Sequence, residues 1–151
     1  MALDHAAIAE QTLAAIDASA PLGPWSLLHH DIGSDDAYAV AMAMRDKRLA
    51  RGESVVGRKI GFTNKATWDQ LGIDAAVWAP VYDTTLDAIG DEPVTLSAFH
   101  EPRIEPEIVV GLDGNVPADA DIATVEQCIA WVAFGFEIVQ SVYPDWSFST
   151  T

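Results

Sequence analysis

The chain has 151 residues, with 23 Asp and Glu against 8 Lys and Arg, so its formal charge is −15 at pH 7. That length supports one domain with a core, and a hydrophobic content of 50% argues against a wholly disordered chain. The strong negative charge argues against nucleic acid and membrane surface as partners, which leaves small molecules, cations and protein surfaces.

The N-terminus, Met1-Ala2-Leu3-Asp4-His5, lacks a basic stretch followed by a hydrophobic one, and apolar runs are only a few residues long. Neither a signal peptide nor a membrane span is expected. The single cysteine, Cys128, makes no internal disulfide, and the chain reads as cytoplasmic.

Asp4 to Ala18 reads as a helix capped by Asp4, with Ile8, Leu13 and Ile16 at helical spacing. Pro21-Leu22-Gly23-Pro24 ends it. A second helix is expected from Asp35 to Arg51, with Ser34 as its cap, acids in the first turn and bases near the last. From Val55 the period becomes two, with Val56, Ile60 and Phe62 on one face and Gly57, Lys59 and Gly61 on the other. A short helix from Lys65 to Leu71 stops at Gly72, and Val77 to Tyr82 is strand-like around Pro80. Val94-Thr95-Leu96 reads as a short strand. Arg103 to Leu112 reads as a longer one, closed by Asp113-Gly114, a pair that favours a tight hairpin. Asp121 caps a helix whose apolar positions are Ile122, Val125, Ile129 and Val132. Gly135 interrupts it, and Phe136 to Tyr143 reads as a strand. Residues 1–54 are thus a helical segment and residues 55–151 the strand-rich part of a single α+β domain.

Glu105 and Glu107, in Arg103-Ile104-Glu105-Pro106-Glu107-Ile108, share one face of any strand that holds them, with backbones about 6.6 Å apart. Glutamate side chains can close that gap around one ion, and their oxygens suit Mg²⁺, Mn²⁺ or Ca²⁺. The competing reading, which the local pattern alone favours, is a solvated strand face of an acidic protein. The apolar character of the rest of the strand, and a Pro106 that marks an edge or bulge, speak for the site.

Glu137 lies in the apolar run Phe134-Gly135-Phe136-Glu137-Ile138-Val139. It either faces water or, if buried, needs a cation or a hydrogen-bond network. Lys59, between two glycines on its face, has room for an anionic ligand beside its ammonium, although a surface lysine is the commoner case. Asp83, in Val81-Tyr82-Asp83-Thr84-Thr85, is an acid or base at a strand end, or simply a turn cap. His29-His30-Asp31 and His100-Glu101 lack any further ligand pattern. Phosphate loops, dinucleotide fingerprints and nucleophile elbows are absent.

Taken together, Gly57-Arg58-Lys59-Ile60-Gly61-Phe62-Thr63-Asn64, Val81-Tyr82-Asp83, Glu101-Pro102-Arg103-Ile104-Glu105-Pro106-Glu107 and Trp131-Val132-Ala133-Phe134-Gly135-Phe136-Glu137-Ile138-Val139-Gln140-Ser141 resemble the 2-keto-4-pentenoate hydratase and 4-oxalocrotonate decarboxylase family, within the fumarylacetoacetate hydrolase superfamily. The resemblance runs from about Asp35 to the last residue. It implies an α+β fold, a mixed β-roll preceded by the helical segment, and a chain that is the N-terminal part of such a protein, incomplete at its C-terminus. It further implies Mg²⁺ or Mn²⁺ held by Glu105, Glu107 and Glu137, with Lys59 as the active-site lysine and Asp83 near the substrate.

The activity implied is a hydro-lyase reaction of aromatic-compound catabolism, water adding to a 2-hydroxy-2,4-dienoate to give a 4-hydroxy-2-keto acid. Decarboxylation of a 4-oxalocrotonate-type acid is the second expectation, and cleavage of a carbon-carbon bond in a diketo acid the third. A rival reading is a truncated, non-catalytic paralogue acting through a full-length partner. The family resemblance also implies a homo-oligomer, or association with a related subunit.

Overall fold

The computed structural model describes residues 3–148, which form two compact units, Glu101–Gln140 and the remainder of the described chain. Residue 54, the boundary read from the sequence, lies inside the larger unit. Both strand pairs are antiparallel, so the short helices between their strands are not parallel βαβ crossovers, which makes the fold α+β.

In the larger unit, α1 (His5–Asp17) and α2 (Ser34–Ala50) lie side by side. Asp4 caps α1 as expected, its carboxylate accepting from the Ala7 amide at 3.0 Å. For α2 the cap is Gly33, not Ser34, and the side chain that closes the turn is Asp36, which accepts from the Gly33 amide at 3.3 Å. A carboxylate three residues into the helix reaches back to an orphan amide, which a serine hydroxyl at the first helical position does not do. Ile8, Ala9, Leu13 and Val40 form the buried seam, with Leu13 only 1% exposed. Across it run the His5–Asp36 hydrogen bond and two ion pairs, Glu10–Lys47 and Asp17–Arg51. They advance together along both helices, so the pair is parallel. The Asp36 carboxyl sits below its ordinary pKa because of the hydrogen bond from His5, then that from Gly33.

After α2, β1 (Val55–Gly61) and β2 (Val77–Tyr82) pair antiparallel with a bulge between Val55 and Gly57. Between them the short helical segment is a 3₁₀ turn at Lys65–Thr67 running into α3 (Trp68–Leu71), stopped by Gly72 in the left-handed conformation. Pro80, opposite Arg58, fits a ladder of only two strands, where one edge of each strand needs no amide donor. Val94-Thr95-Leu96 is not a strand. Leu96–Ala98 makes a 3₁₀ turn instead, and no partner strand pairs with it among the described residues.

The smaller unit is a second antiparallel ladder, of β3 (Arg103–Leu112) and β4 (Ile129–Val139). Asp113-Gly114 does not make the expected tight hairpin. Gly114 has a positive φ of 97°, but the chain then runs through α4 (Ile122–Gln127) before returning, and the Asp113 amide closes the ladder on the Cys128 carbonyl at 2.8 Å. Asp121 caps α4, accepting from the Thr124 amide at 2.8 Å.

That helix ends at Gln127, well before the expected Val132, and the strand expected at Phe136 to Tyr143 begins at Ile129 and ends at Val139. Ile129, Trp131, Val132, Phe134 and Phe136 are β-branched or aromatic, and with β3 available across the ladder strand preference wins over helical spacing.

Candidate metal centre

Register decides the site. Glu105 stands directly opposite Glu137, and Glu107, two residues along β3, stands opposite Gly135. Alternation along both strands puts all three carboxylates on one face of the ladder. The other face is apolar, carrying Ile104, Ile108, Val110, Val132, Phe134 and Phe136, all exposed.

One carboxylate oxygen from each of Glu105, Glu107 and Glu137 lies within 4.8 Å of the others, and these three are the one such acidic, histidine or cysteine group among the described residues. Glu105 is exposed and Glu137 half-buried.

The donor set fits a hard divalent cation. Three points no more than 4.8 Å apart all lie within 4.8/√3, about 2.8 Å, of a common centre, so small side-chain rotations reach the roughly 2.0–2.6 Å bonds that Mg²⁺ and Ca²⁺ take. Oxygen-only donors disfavour soft metals. Three carboxylates held this close repel one another, and a divalent cation relieves that repulsion. Pro106 lies in the run of the ladder opposite Phe136, and the bulge of β3 falls at Gly111/Leu112, so Pro106 marks a strand edge and not a bulge.

The other sequence candidates lie in the larger unit. Lys59 is half-buried on β1, opposite Ala79 and on the face shared with Gly57 and Gly61. A methyl added at Gly57 would meet open space, whereas one at Gly61 would press on Val77 at 3.3 Å. The room beside Lys59 is therefore on the Gly57 side.

Asp83 follows β2 and binds backbone: its Oδ1 accepts from the amides of Ser54 at 2.9 Å and Thr84 at 3.0 Å, while its own amide donates to the Ser54 carbonyl. Turn capping is the role that this geometry gives it. His29 stacks on Trp25 with centroids 6.1 Å apart, and His100 Nδ1 lies 2.7 Å from the Ser141 carbonyl oxygen.

Sequence reading passed over the network around Asp83. Arg48, near the end of α2, meets Glu53 at 2.7 Å and lies 4.0 Å over the buried Tyr82 ring, and the Thr84 hydroxyl donates to Glu53 at 2.7 Å. Burial pushes the Glu53 carboxyl up, but the hydrogen bonds from Thr84 and Arg48 and the Arg48 charge outweigh it, leaving Glu53 below its ordinary range. Burial raises Tyr82. The only advance signal was a basic and an acidic residue flanking the turn at Gly52.

No family model matches the chain. It is 33% identical over 144 residues to a 2-keto-4-pentenoate hydratase of Paraburkholderia xenovorans (strain LB400), covering 92% of this chain and 52% of that protein. It is 36% identical over 125 residues to a 4-oxalocrotonate decarboxylase of a Pseudomonas species, covering 76% of this chain and 47% of that one. A solved 4-oxalocrotonate decarboxylase from Pseudomonas putida G7, complexed with calcium and acetate, superposes with a TM-score of 0.84 at 26% identity, over 93% of this chain and 54% of that chain. The same enzyme complexed with magnesium and adipate gives 0.83. The chain spans about half the length of the curated relatives it matches. Over most of its length it is therefore a relative of the 2-keto-4-pentenoate hydratases and 4-oxalocrotonate decarboxylases.

Proposed function

We propose that the protein is a hydro-lyase of aromatic-compound catabolism, adding water to a 2-hydroxy-2,4-dienoate to give a 4-hydroxy-2-keto acid, with Glu105, Glu107 and Glu137 as the ligands of Mg²⁺ or Mn²⁺. The observation that carries the reading is the convergence of three carboxylates from two strands on one face of a ladder. The 33% identity to named hydratases over most of the chain supports it. Metal-bound structures of the neighbouring decarboxylase support a divalent cation.

When bound, such an ion supplies Lewis acidity toward a 2-oxo acid and its enol form. The chain's own residues do the remainder. Lys59 is assigned the proton transfer that the dienol-to-keto change requires, its ammonium also matching the charge of a substrate carboxylate. Asp83 is the alternative proton carrier, with its backbone hydrogen bonds holding the carboxylate in one orientation. The finer fold assignment, a mixed β-roll of the fumarylacetoacetate hydrolase type, belongs to this proposal, as do a homo-oligomeric state and a cytoplasmic location. No helix of the described residues is long and apolar enough to cross a membrane.

Decarboxylation of a 4-oxalocrotonate-type acid is the second reading, favoured by the TM-score of 0.84 to a decarboxylase. The test is turnover of 2-hydroxypenta-2,4-dienoate and of 4-oxalocrotonate with Mg²⁺ or Mn²⁺, followed as loss of the conjugated chromophore and as CO₂ release. Hydration without CO₂ release that disappears in Glu107→Gln supports the first reading. CO₂ release supports the second, and activity that survives the substitution overturns the glutamate assignment.

A further inference from the structure

Gly135 lies on the face that carries the three carboxylates, directly across the ladder from Glu107. A Cβ built on it would sit 2.7 Å from Cγ2 of Val109, well inside the roughly 3.5–4.0 Å at which carbon atoms pack. The Val109 methyl thus occupies the space over the Gly135 backbone where any other residue would place its side chain.

Val109 follows Glu107 by two positions on β3 and shares its face, and its branched side chain has little rotamer freedom. It stands on the side of Glu107 away from Glu105. Glu137 is the diagonal neighbour of Glu107, at roughly 7–8 Å in an antiparallel ladder, yet their carboxylate oxygens come within 4.8 Å. Glu107 therefore reaches toward the Glu105–Glu137 pair, away from Val109.

We propose that Gly135 is a positioning residue for the metal centre: its missing side chain admits Val109, and Val109 confines Glu107 to the carboxylate cluster. The inference rests on the metal-binding reading above and adds to it a residue that ligates nothing.

The test is Mn²⁺ titration, read from the electron paramagnetic resonance of the free ion, on the unmodified chain, Gly135→Ala, Val109→Ala and the double variant, with circular dichroism to check folding. Gly135→Ala is expected to weaken Mn²⁺ binding about tenfold, the scale of residues that orient ligands. Val109→Ala weakens it less, by opening a gap. In the double variant the new methyl on β4 fills the space vacated on β3, and affinity returns to within about threefold of the starting value.

Unchanged binding by Gly135→Ala overturns the inference, and so does a loss that the double variant fails to recover. If Gly135→Ala does not fold, Val109→Ala decides, and unchanged affinity there overturns it. A starting chain that binds no Mn²⁺ overturns the metal-binding reading itself, an outcome visible before any variant is compared.

Discussion

The α1–α2 pair and the β3–β4 ladder are both formed from two neighbouring elements, yet they satisfy their residues differently. The helices bury their apolar seam in each other, leaving Leu13 1% exposed, whereas the ladder pairs the facing backbone edges of its two strands and leaves Phe134 84% exposed. Backbone pairing and side-chain burial are separate requirements, and a two-stranded ladder meets the first along its inner edges without meeting the second. The carboxylate cluster depends only on the first. It is set by which residue of β3 stands opposite which residue of β4, and a slip of one residue would send one strand's glutamates to the apolar face.

The contrast is broken most severely at Leu13. Leu13→Ala is expected to cost about 3 kcal/mol, within the range for a fully buried leucine, measured by urea unfolding. Phe134→Ser, on the exposed face of the ladder, is expected to leave stability unchanged and to raise solubility, because it removes apolar surface from water. A loss of stability comparable to that of Leu13→Ala would show that the face is covered in solution.

A metal sharpens the contrast from the other side. At about 100 times its dissociation constant, Mn²⁺ is expected to stabilise the ladder by about 2.7 kcal/mol, seen as a rise in thermal midpoint that Glu107→Gln abolishes. A rise of equal size in the variant would mean that the ion binds elsewhere.

Acid separates the regions more gently. Glu53 has a folded pKa below its unfolded one, so its contribution is present above the ordinary carboxylate range and is lost as pH falls through the lowered folded value. Asp36 acts in the same direction. Thermal midpoints measured from about pH 6 to about pH 3 are expected to fall less steeply for Glu53→Gln than for the unmodified chain. Amide exchange in β3 and β4 is expected to be indifferent to that substitution. The smallest effect is expected at a helix cap: Asp4→Ala removes the acceptor of the Ala7 amide, at a cost of about 1 kcal/mol, with fraying of α1 seen by hydrogen exchange.

Much of the fold was legible before any coordinates, and its errors have physical causes. Asp4, Gly72 and Asp121 announced helix ends because capping involves residues two to four apart in sequence. Arg103–Leu112 was legible from end to end. Ile129 and Val132 were misassigned to a helix because their spacing satisfies helical and strand patterns alike over so short a run, and pairing with β3 settled the matter. Asp113-Gly114 carried a true turn signal, with Gly114 at positive φ, but nothing local announced that α4 would intervene.

In the site, the shared face of Glu105 and Glu107 followed from strand alternation. Arg48 and Glu53 escaped notice because charged residues at a helix end usually face water.

The sequence by itself determined the caps of α1 and α4, the strands β1, β2 and β3, the common face of Glu105 and Glu107 and the family likeness, since each rests on residues close in the chain or on their order along it. Only the tertiary structure decided that Glu137 stands across from Glu105, that Val109 fills the space over Gly135 and that Asp83 caps a turn held by Arg48 and Glu53. These depend on which distant segments meet and in what register, and that choice is made by pairing and packing over the whole unit, which no local pattern encodes.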